Sequence, residues 1–282
     1  MQMPPQIRAL SGALGAEVCG LDLSELTQET CSWLRDALHR YGVLCLREQH
    51  LSHASHIALA EVFGKPDVHP IAQGMDSHPE IIEVLKPAGE QAFFGTAWHS
   101  DNSFFERPSS ITVLYGVDIP PVGGDTLYAS MERAWEQLSR PMKRFLEPLR
   151  AVHSARSAYD PKTTGEAKYN GEAAIQYTYS DAIYDEVEHP VVRTHPVTGR
   201  KSLYVNPMFT DRIVGLSPPE SDGVLQMLYG FSTQPERVCR VRWEPGTVTI
   251  WDNRWVQHYA IDDYADFERR MYRVTLTGER PV

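Results

Sequence analysis

Two short stretches of the chain carry the donor types of a hard-metal centre. Trp98-His99-Ser100-Asp101-Asn102-Ser103-Phe104 sets a histidine and a carboxylate two positions apart, and Trp251-Asp252-Asn253-Arg254-Trp255-Val256-Gln257-His258 ends on a second histidine. On an extended strand alternate side chains share a face, so His99 and Asp101 would project together with Ser100 turned away. Joined by His258 they would form a 2-His-1-carboxylate face, which leaves positions open on non-haem Fe(II) for other ligands and O2. A chain with 11 histidines produces isolated His-x-Asp patterns by chance. The context adds weight: Trp98 and Phe104 can wall such a site, and Asn102 or Ser103 can support it with hydrogen bonds.

Beyond His258 runs Glu268-Arg269-Arg270-Met271-Tyr272-Arg273-Val274-Thr275-Leu276-Thr277. As a strand it puts Arg269, Met271, Arg273 and Thr275 on one face and Arg270, Tyr272 and Val274 on the other. Two guanidinium groups on a face with Met and Thr are costly to bury unless they meet anions. Some of the 37 acidic residues could supply them. The sharper reading is capture of a carboxylate or similar anion, for which the guanidinium fork is suited.

These residues must be positioned by a scaffold, and the chain is long enough to build one. Its 282 residues fit one large domain or two small ones, with 42% hydrophobic and 23% charged residues. The formal net charge of −10 argues against nucleic acid or an anionic membrane as a partner. Cys19, Cys31, Cys45 and Cys239 show no paired spacing and suit reduced thiols. No signal peptide or membrane-length apolar run is visible, so a cytoplasmic protein is expected. Residues 6–23 read as short strands broken by glycines, followed by helices over roughly 28–41 and 52–63. From about residue 80 short β-rich runs dominate, at 81–85, 110–117, 125–130, 202–207, 238–244 and 247–252. Helical inserts are expected over 130–148 and 218–230. Residues 155–188 are polar and tyrosine-rich with little periodicity, and read as a long excursion or lid. The pattern is mainly β with helices (α+β), a double-sheet jelly roll flanked by helices, in a single domain spanning 1–282.

Several stretches in combination resemble the taurine/α-ketoglutarate dioxygenase (TauD-like) family of Fe(II)- and 2-oxoglutarate-dependent oxygenases. They are 98–104, Gly123-Gly124-Asp125-Thr126 with its continuation to Ser130, 189–206, 251–260 and 269–281, and the resemblance runs from about Ile7 to Pro281. It implies a double-stranded β-helix fold, with Fe(II), 2-oxoglutarate as cosubstrate and O2. Carried over residue by residue, His99, Asp101 and His258 match the iron ligands. Thr126 and Arg269 match the groups that hold the distal carboxylate of 2-oxoglutarate. Arg273 matches an arginine near the iron that reaches the substrate's anion or assists the cosubstrate. A carboxylate at Asp101 argues against the halide-binding variant of the centre. His189 and His195, each beside a proline, are expected to be structural.

The resemblance also implies a small anionic organic substrate. His69 matches a histidine that contacts the sulfonate in taurine dioxygenase, while Tyr159 and Phe209 fall at aromatic pocket walls. Ile71-Ala72 stands where the taurine enzyme has a tyrosine after the His-Pro pair, and an asparagine expected near Trp98 is replaced within Gly95-Thr96-Ala97. Losing such polar contacts discards discrimination for a small amino-sulfonate. A longer sulfonate, an alkyl sulfate, an aryloxyalkanoate or another carboxylate fits better. The implied outcome is C–H hydroxylation with release of succinate and CO2, and with substrate fragmentation if the oxidised carbon bears S or O. The resemblance further suggests a homo-oligomer, dimer or tetramer. The same iron centre could instead catalyse desaturation or oxidative decarboxylation of the isonitrile type, which product analysis separates. A non-catalytic jelly roll that binds an anion or metal would make no succinate, and a zinc hydrolase would need no O2.

Overall fold

The computed structural model describes residues 5–69, 71–90, 95–160 and 181–282. Fifteen strands are numbered along the chain. They are β1 (Gln6–Ala9), β2 (Ala16–Cys19), β3 (Val43–Leu46), β4 (Ile82–Lys86), β5 (Ile111–Asp118), β6 (Thr126–Ser130), β7 (Arg150–Ser154) and β8 (Glu186–Pro190). The rest are β9 (Val192–Thr194), β10 (Lys201–Leu203), β11 (Thr210–Ile213), β12 (Val238–Val241), β13 (Val248–Asp252), β14 (Val256–Ala260) and β15 (Arg269–Thr275). Seven strands form the large sheet in the order β1-β2-β3-β13-β5-β15-β4, so strands from both ends of the chain share it. Two smaller sheets, β12-β6-β14 and β11-β7-β8, carry much of the remainder, with β9 and β10 paired beside them.

The large sheet is covered on both faces, which explains why β3 reads as an unbroken apolar run rather than an alternating one. Leu44 and Leu46 point into an outer core with Val113, Ile250 and Val274. Against it pack Leu34 and Leu38 of helix α1 (Gln28–Tyr41) and Leu59 of α2 (His53–Glu61). Val43 and Cys45 face the other way, into an inner core with Tyr128, Val241, Trp251 and Val256. The caps follow from side-chain chemistry. Thr27 and Ser52 accept the backbone N–H of Thr30 and Ser55, and Gly42 closes α1 at φ +73°.

Four expectations need correction or restriction. The helix expected over 130–148 is two helices, α3 (Met131–Gln137) and α4 (Arg140–Leu146). Ser139 caps the second through Met142 N–H, and Pro141 sits in its first turn, where its missing donor costs nothing. No strand spans 98–104: His99 makes one isolated bridge and the chain turns over 101–104. The run at 202–207 is strand only up to Leu203. The expected lid lies largely on 161–180, outside the described residues, while its ends form a short helix α5 (Arg156–Tyr159), a 3-10 turn at Asp181–Tyr184 and the start of β8. The helix expected over 218–230 is α6 (Pro218–Ser232), opened by a Ser217/Glu220 capping box. Among the described residues no helix is long and apolar enough to cross a membrane.

Candidate metal and cosubstrate site

His258 lies inside β14, whose pairing with β6 sets it opposite Tyr128. Its backbone reaches across to His99 in a two-way bridge, His99 N–H to His258 O at 3.1 Å and His258 N–H to His99 O at 2.8 Å. This backbone pairing, rather than a strand through 98–104, brings the two imidazoles together, with ring centroids 4.1 Å apart. Asp101 then enters from the turn: its Oδ1 lies 3.7 Å from Nε2 of each histidine. The three potential donor atoms fall within 4.8 Å of one another, and all three residues are buried.

Hydrogen bonds fix His99 and Asp101, while His258 Nδ1 meets no partner among the described residues. His99 Nδ1 lies 2.7 Å from the Ala97 carbonyl, which makes Nδ1 the protonated nitrogen and leaves the Nε2 lone pair free. Asp101 Oδ2 accepts from the Thr112 hydroxyl at 2.6 Å, and Oδ1 from the Arg273 guanidinium at 2.7 Å. Thr112 accepts in turn from the Asn253 amide at 2.8 Å, and Asn253 Oδ1 accepts the Asp101 N–H at 3.1 Å. Burial alone would raise the Asp101 carboxyl, but Arg273, His258, His99 and the Thr112 hydroxyl outweigh it and hold the group well below the usual carboxylate range. Burial pushes both histidines down, His258 well below its ordinary value. An ionised carboxylate and two neutral imidazoles with free lone pairs are the protonation states a divalent metal needs.

Next to this centre lies a small pocket lined by His258, Thr126, Arg269, Arg273 and Trp251 among others. Arg269 is 6% exposed, and its Nε and Nη2 meet no hydrogen-bond partner among the described residues. Its guanidinium lies 5.6 Å from the ring centroids of both Trp243 and Tyr264. Thr126 Oγ accepts the Trp243 indole N–H at 2.9 Å, which leaves its own proton to donate. A buried guanidinium with unused N–H groups and a hydroxyl free to donate, in the pocket that holds His258, fit the carboxylate of a bound dicarboxylic acid. Burial lowers the Arg269 pKa, partly offset by Tyr264. Gly123 and Gly124 allow the loop above to close over this end: Gly124 N–H donates to Asp263 Oδ1 at 2.8 Å, and a Cβ on Gly123 would lie 2.6 Å from Asp263 O.

Beside the His99, Asp101 and His258 trio, Phe209 meets His99 edge-to-face at 5.9 Å. Phe209 belongs to a buried cluster with Ile71, Phe104, Ala155, Tyr159 and Ile183. Tyr159 and Phe209, expected at the pocket walls, are thus placed together beside a donor of the trio. His69 lies nearby, with its Nε2 2.9 Å from Asn102 Oδ1. Trp98 packs instead with Tyr259 at 5.7 Å. Sequence reasoning missed Thr112, Asn253, Trp243 and Tyr264. Asn253 sat in a stretch already singled out, where Trp251 Nε1 donates to its Oδ1, but its links to Thr112 and Asp101 span 141 and 152 positions, so no spacing rule could find them. Asn102 and Ser103 were expected to support the metal ligands directly. They bond instead to His69 and Ser109, and to His153 and Asn206.

A profile of the family described as taurine catabolism dioxygenase TauD, TfdA family matches residues 6–275. An alkylsulfatase of Acinetobacter baylyi is 40% identical over 97% of the chain and 85% of that protein. An α-ketoglutarate-dependent sulfate ester dioxygenase of Pseudomonas putida is 35% identical over 98% of the chain and 90% of that protein. A crystal structure of a taurine dioxygenase from Burkholderia xenovorans superposes with a TM-score of 0.81 and 38% identity, covering 99% of this chain and 92% of that one.

Proposed function

The chain belongs to the TauD, TfdA family of Fe(II)- and 2-oxoglutarate-dependent dioxygenases, and from that premise we propose that it oxidises a sulfate ester carrying an apolar alkyl chain. The observation that carries this reading is the apolar cluster in contact with a donor of the metal-binding trio: Phe209 on His99, with Ile71, Phe104 and Tyr159 behind it. An alkyl chain gains about 0.8 kcal/mol per buried CH₂ against such a wall, whereas Ile71, Phe104 and Phe209 offer no acceptor to the ammonium of a small amino-sulfonate. The relatives named for alkyl sulfates and sulfate esters cover nearly the whole chain, which agrees with the same class.

In this reading His99, Asp101 and His258 hold Fe(II), and Arg269 with Thr126 holds the distal carboxylate of 2-oxoglutarate. Together with O2 the iron centre supplies the oxidising power, converting 2-oxoglutarate to succinate and CO2 while one oxygen atom enters a substrate C–H bond. The chain's own residues choose which bond. Arg273, the cation bound to Asp101, offers its remaining N–H groups to the sulfate, and Phe209, Tyr159 and Phe104 lay the chain beside His99. The carbon next to the ester oxygen would then be the one oxidised. Hydroxylation there gives a hemiacetal sulfate. Its C–O bond to sulfate breaks with the electron pair leaving on sulfate, the hydroxyl proton is lost and a C=O bond forms. Tyr159, Phe209 and Phe104 also keep water from the site. A homo-oligomer, dimer or tetramer, belongs to the same proposal and is tested by sedimentation.

The test is a product assay with hexyl sulfate and with taurine, scoring succinate, inorganic sulfate and aldehyde. Equal yields of all three from hexyl sulfate, with taurine turned over at least tenfold less efficiently, are expected. Efficient sulfite release from taurine with hexyl sulfate inert would contradict the substrate class.

A further inference from the structure

The chain uses one local device twice. In His195-Pro196-Val197-Thr198, Nδ1 of the histidine accepts the backbone N–H groups two and three residues ahead, at 3.2 and 3.1 Å. Its Nε2 lies 3.1 Å from Asp252 Oδ2. In His69-Pro70-Ile71-Ala72, Nδ1 accepts the N–H groups of Ile71 and Ala72 at 3.1 and 2.8 Å, and Nε2 lies 2.9 Å from Asn102 Oδ1. A nitrogen that accepts two N–H groups cannot carry the ring proton, so each ring is the Nε2–H tautomer. In both copies that single N–H is given to a side chain of the protein. His195 is buried and belongs to the Asp252–Arg254 network, where its role is to brace a turn.

What His69 braces is a conformation next to a metal ligand. Asn102 has φ +55°, one of two positive values among the described non-glycine residues. A left-handed residue costs roughly 1 kcal/mol or more and persists where its surroundings hold it. The Asn102 amide is held at both ends: Oδ1 takes the His69 N–H, and Nδ2 donates to Ser109 Oγ at 2.9 Å. Because Asp101 immediately precedes it, that turn aims the Asp101 carboxylate back toward His99 and His258. Burial pushes the His69 pKa down to about 4, so the ring also brings no charge.

We propose that His69 is a positioning residue for the metal-binding segment, locking Asn102 in its left-handed turn beside Asp101. This rests on the Fe(II) reading above. It adds a role to the one that the family resemblance implies for this position, contact with the substrate's anion.

The experiment is equilibrium binding of Mn(II) to substrate-free protein, read from the EPR signal of the free ion. The variants are His69→Asn, Asn102→Gly and the double variant. Asparagine at 69 keeps an acceptor for the amides of the turn but cannot reach Asn102. Glycine at 102 adopts φ +55° unaided. His69→Asn is expected to weaken Mn(II) binding at least fivefold with no substrate present, and to have no further effect once residue 102 is glycine. Wild-type Mn(II) affinity in His69→Asn, with only the KM for the anionic substrate raised, would overturn the proposal. So would a loss of the same size in the Asn102→Gly background. If His69→Asn alone does not fold, the comparison of Asn102→Gly with the double variant still decides. Failure of the wild type to bind Mn(II) would instead refute the metal reading beneath it.

Discussion

At the scale of single residues, the site is a set of charges and lone pairs left incomplete by the protein. Asp101 has its outer oxygen tied to Thr112 and its inner one shared with Arg273, so the carboxylate keeps both its charge and its direction. Arg269 has unused N–H groups in a pocket where it is almost wholly buried. Replacing it by glutamine removes the charge for a cosubstrate carboxylate while nearly filling the space. The expected result is a KM for 2-oxoglutarate raised thirtyfold or more, matching the roughly 2–5 kcal/mol of a buried charge pair, with the KM for the organic substrate changed little. An unchanged KM for 2-oxoglutarate would remove Arg269 from the site. The trio itself was legible less from the His-x-Asp pattern, which 11 histidines can produce by chance, than from the family resemblance of the stretches that carry it. Thr112 was not, since a threonine in a strand advertises nothing until the fold brings Asp101 to it.

At the scale of elements, positions depend on how strands pair, and there the sequence misled in one instructive place. Residues 98–104 read as a strand end, yet only His99 makes a β bridge. The side chains of His99 and Asp101 converge because the chain turns at Asn102, not because they share a pleat. β15 behaved as its pattern foretold, with Arg269, Met271 and Arg273 buried on one face. Strands β7, β8, β9, β11 and the His258-bearing β14 escaped notice; short polar segments such as Glu186–Pro190 take up strand geometry only through their neighbours. The Gly123-Gly124 pair, which reads alone as an ordinary turn, supports the loop above Arg269. Gly123→Ala forces a Cβ against Asp263 at φ +81°, so the account expects a loss of about 1–3 kcal/mol together with a raised KM for 2-oxoglutarate. Denaturant unfolding and steady-state kinetics on the one variant check both; a stability loss without the kinetic change would detach this turn from the cosubstrate pocket.

At the scale of the whole molecule, the fold sets the candidate centre next to the pocket that Arg269 lines and to the buried aromatic cluster of Phe209. The jelly-roll class was readable from the density of short strands and turns. The sheet order was not, because β13 lies between β3 and β5, pairing residues about two hundred and about one hundred and forty positions apart. Burial of imidazoles also shapes the molecule's response to acid. His56, His69 and His189 are each pushed down to about 4, by burial first. Groups held below their unfolded value near 6.5 bind fewer protons in the folded state, so their stabilisation is complete above that pH and is lost as pH falls toward 4. The metal-free protein is therefore expected to lose on the order of 1–2 kcal/mol per histidine between pH 7 and pH 5, seen as a falling urea midpoint; a midpoint constant over that range would contradict the assignment. The most direct test of the central claim is anaerobic titration of the metal-free protein with Fe(II) and 2-oxoglutarate, following the visible charge-transfer band of the chelate. The account expects a saturable band with one equivalent of each, abolished by His258→Ala and shifted by hexyl sulfate. A correctly folded wild-type protein that gives no band would contradict it.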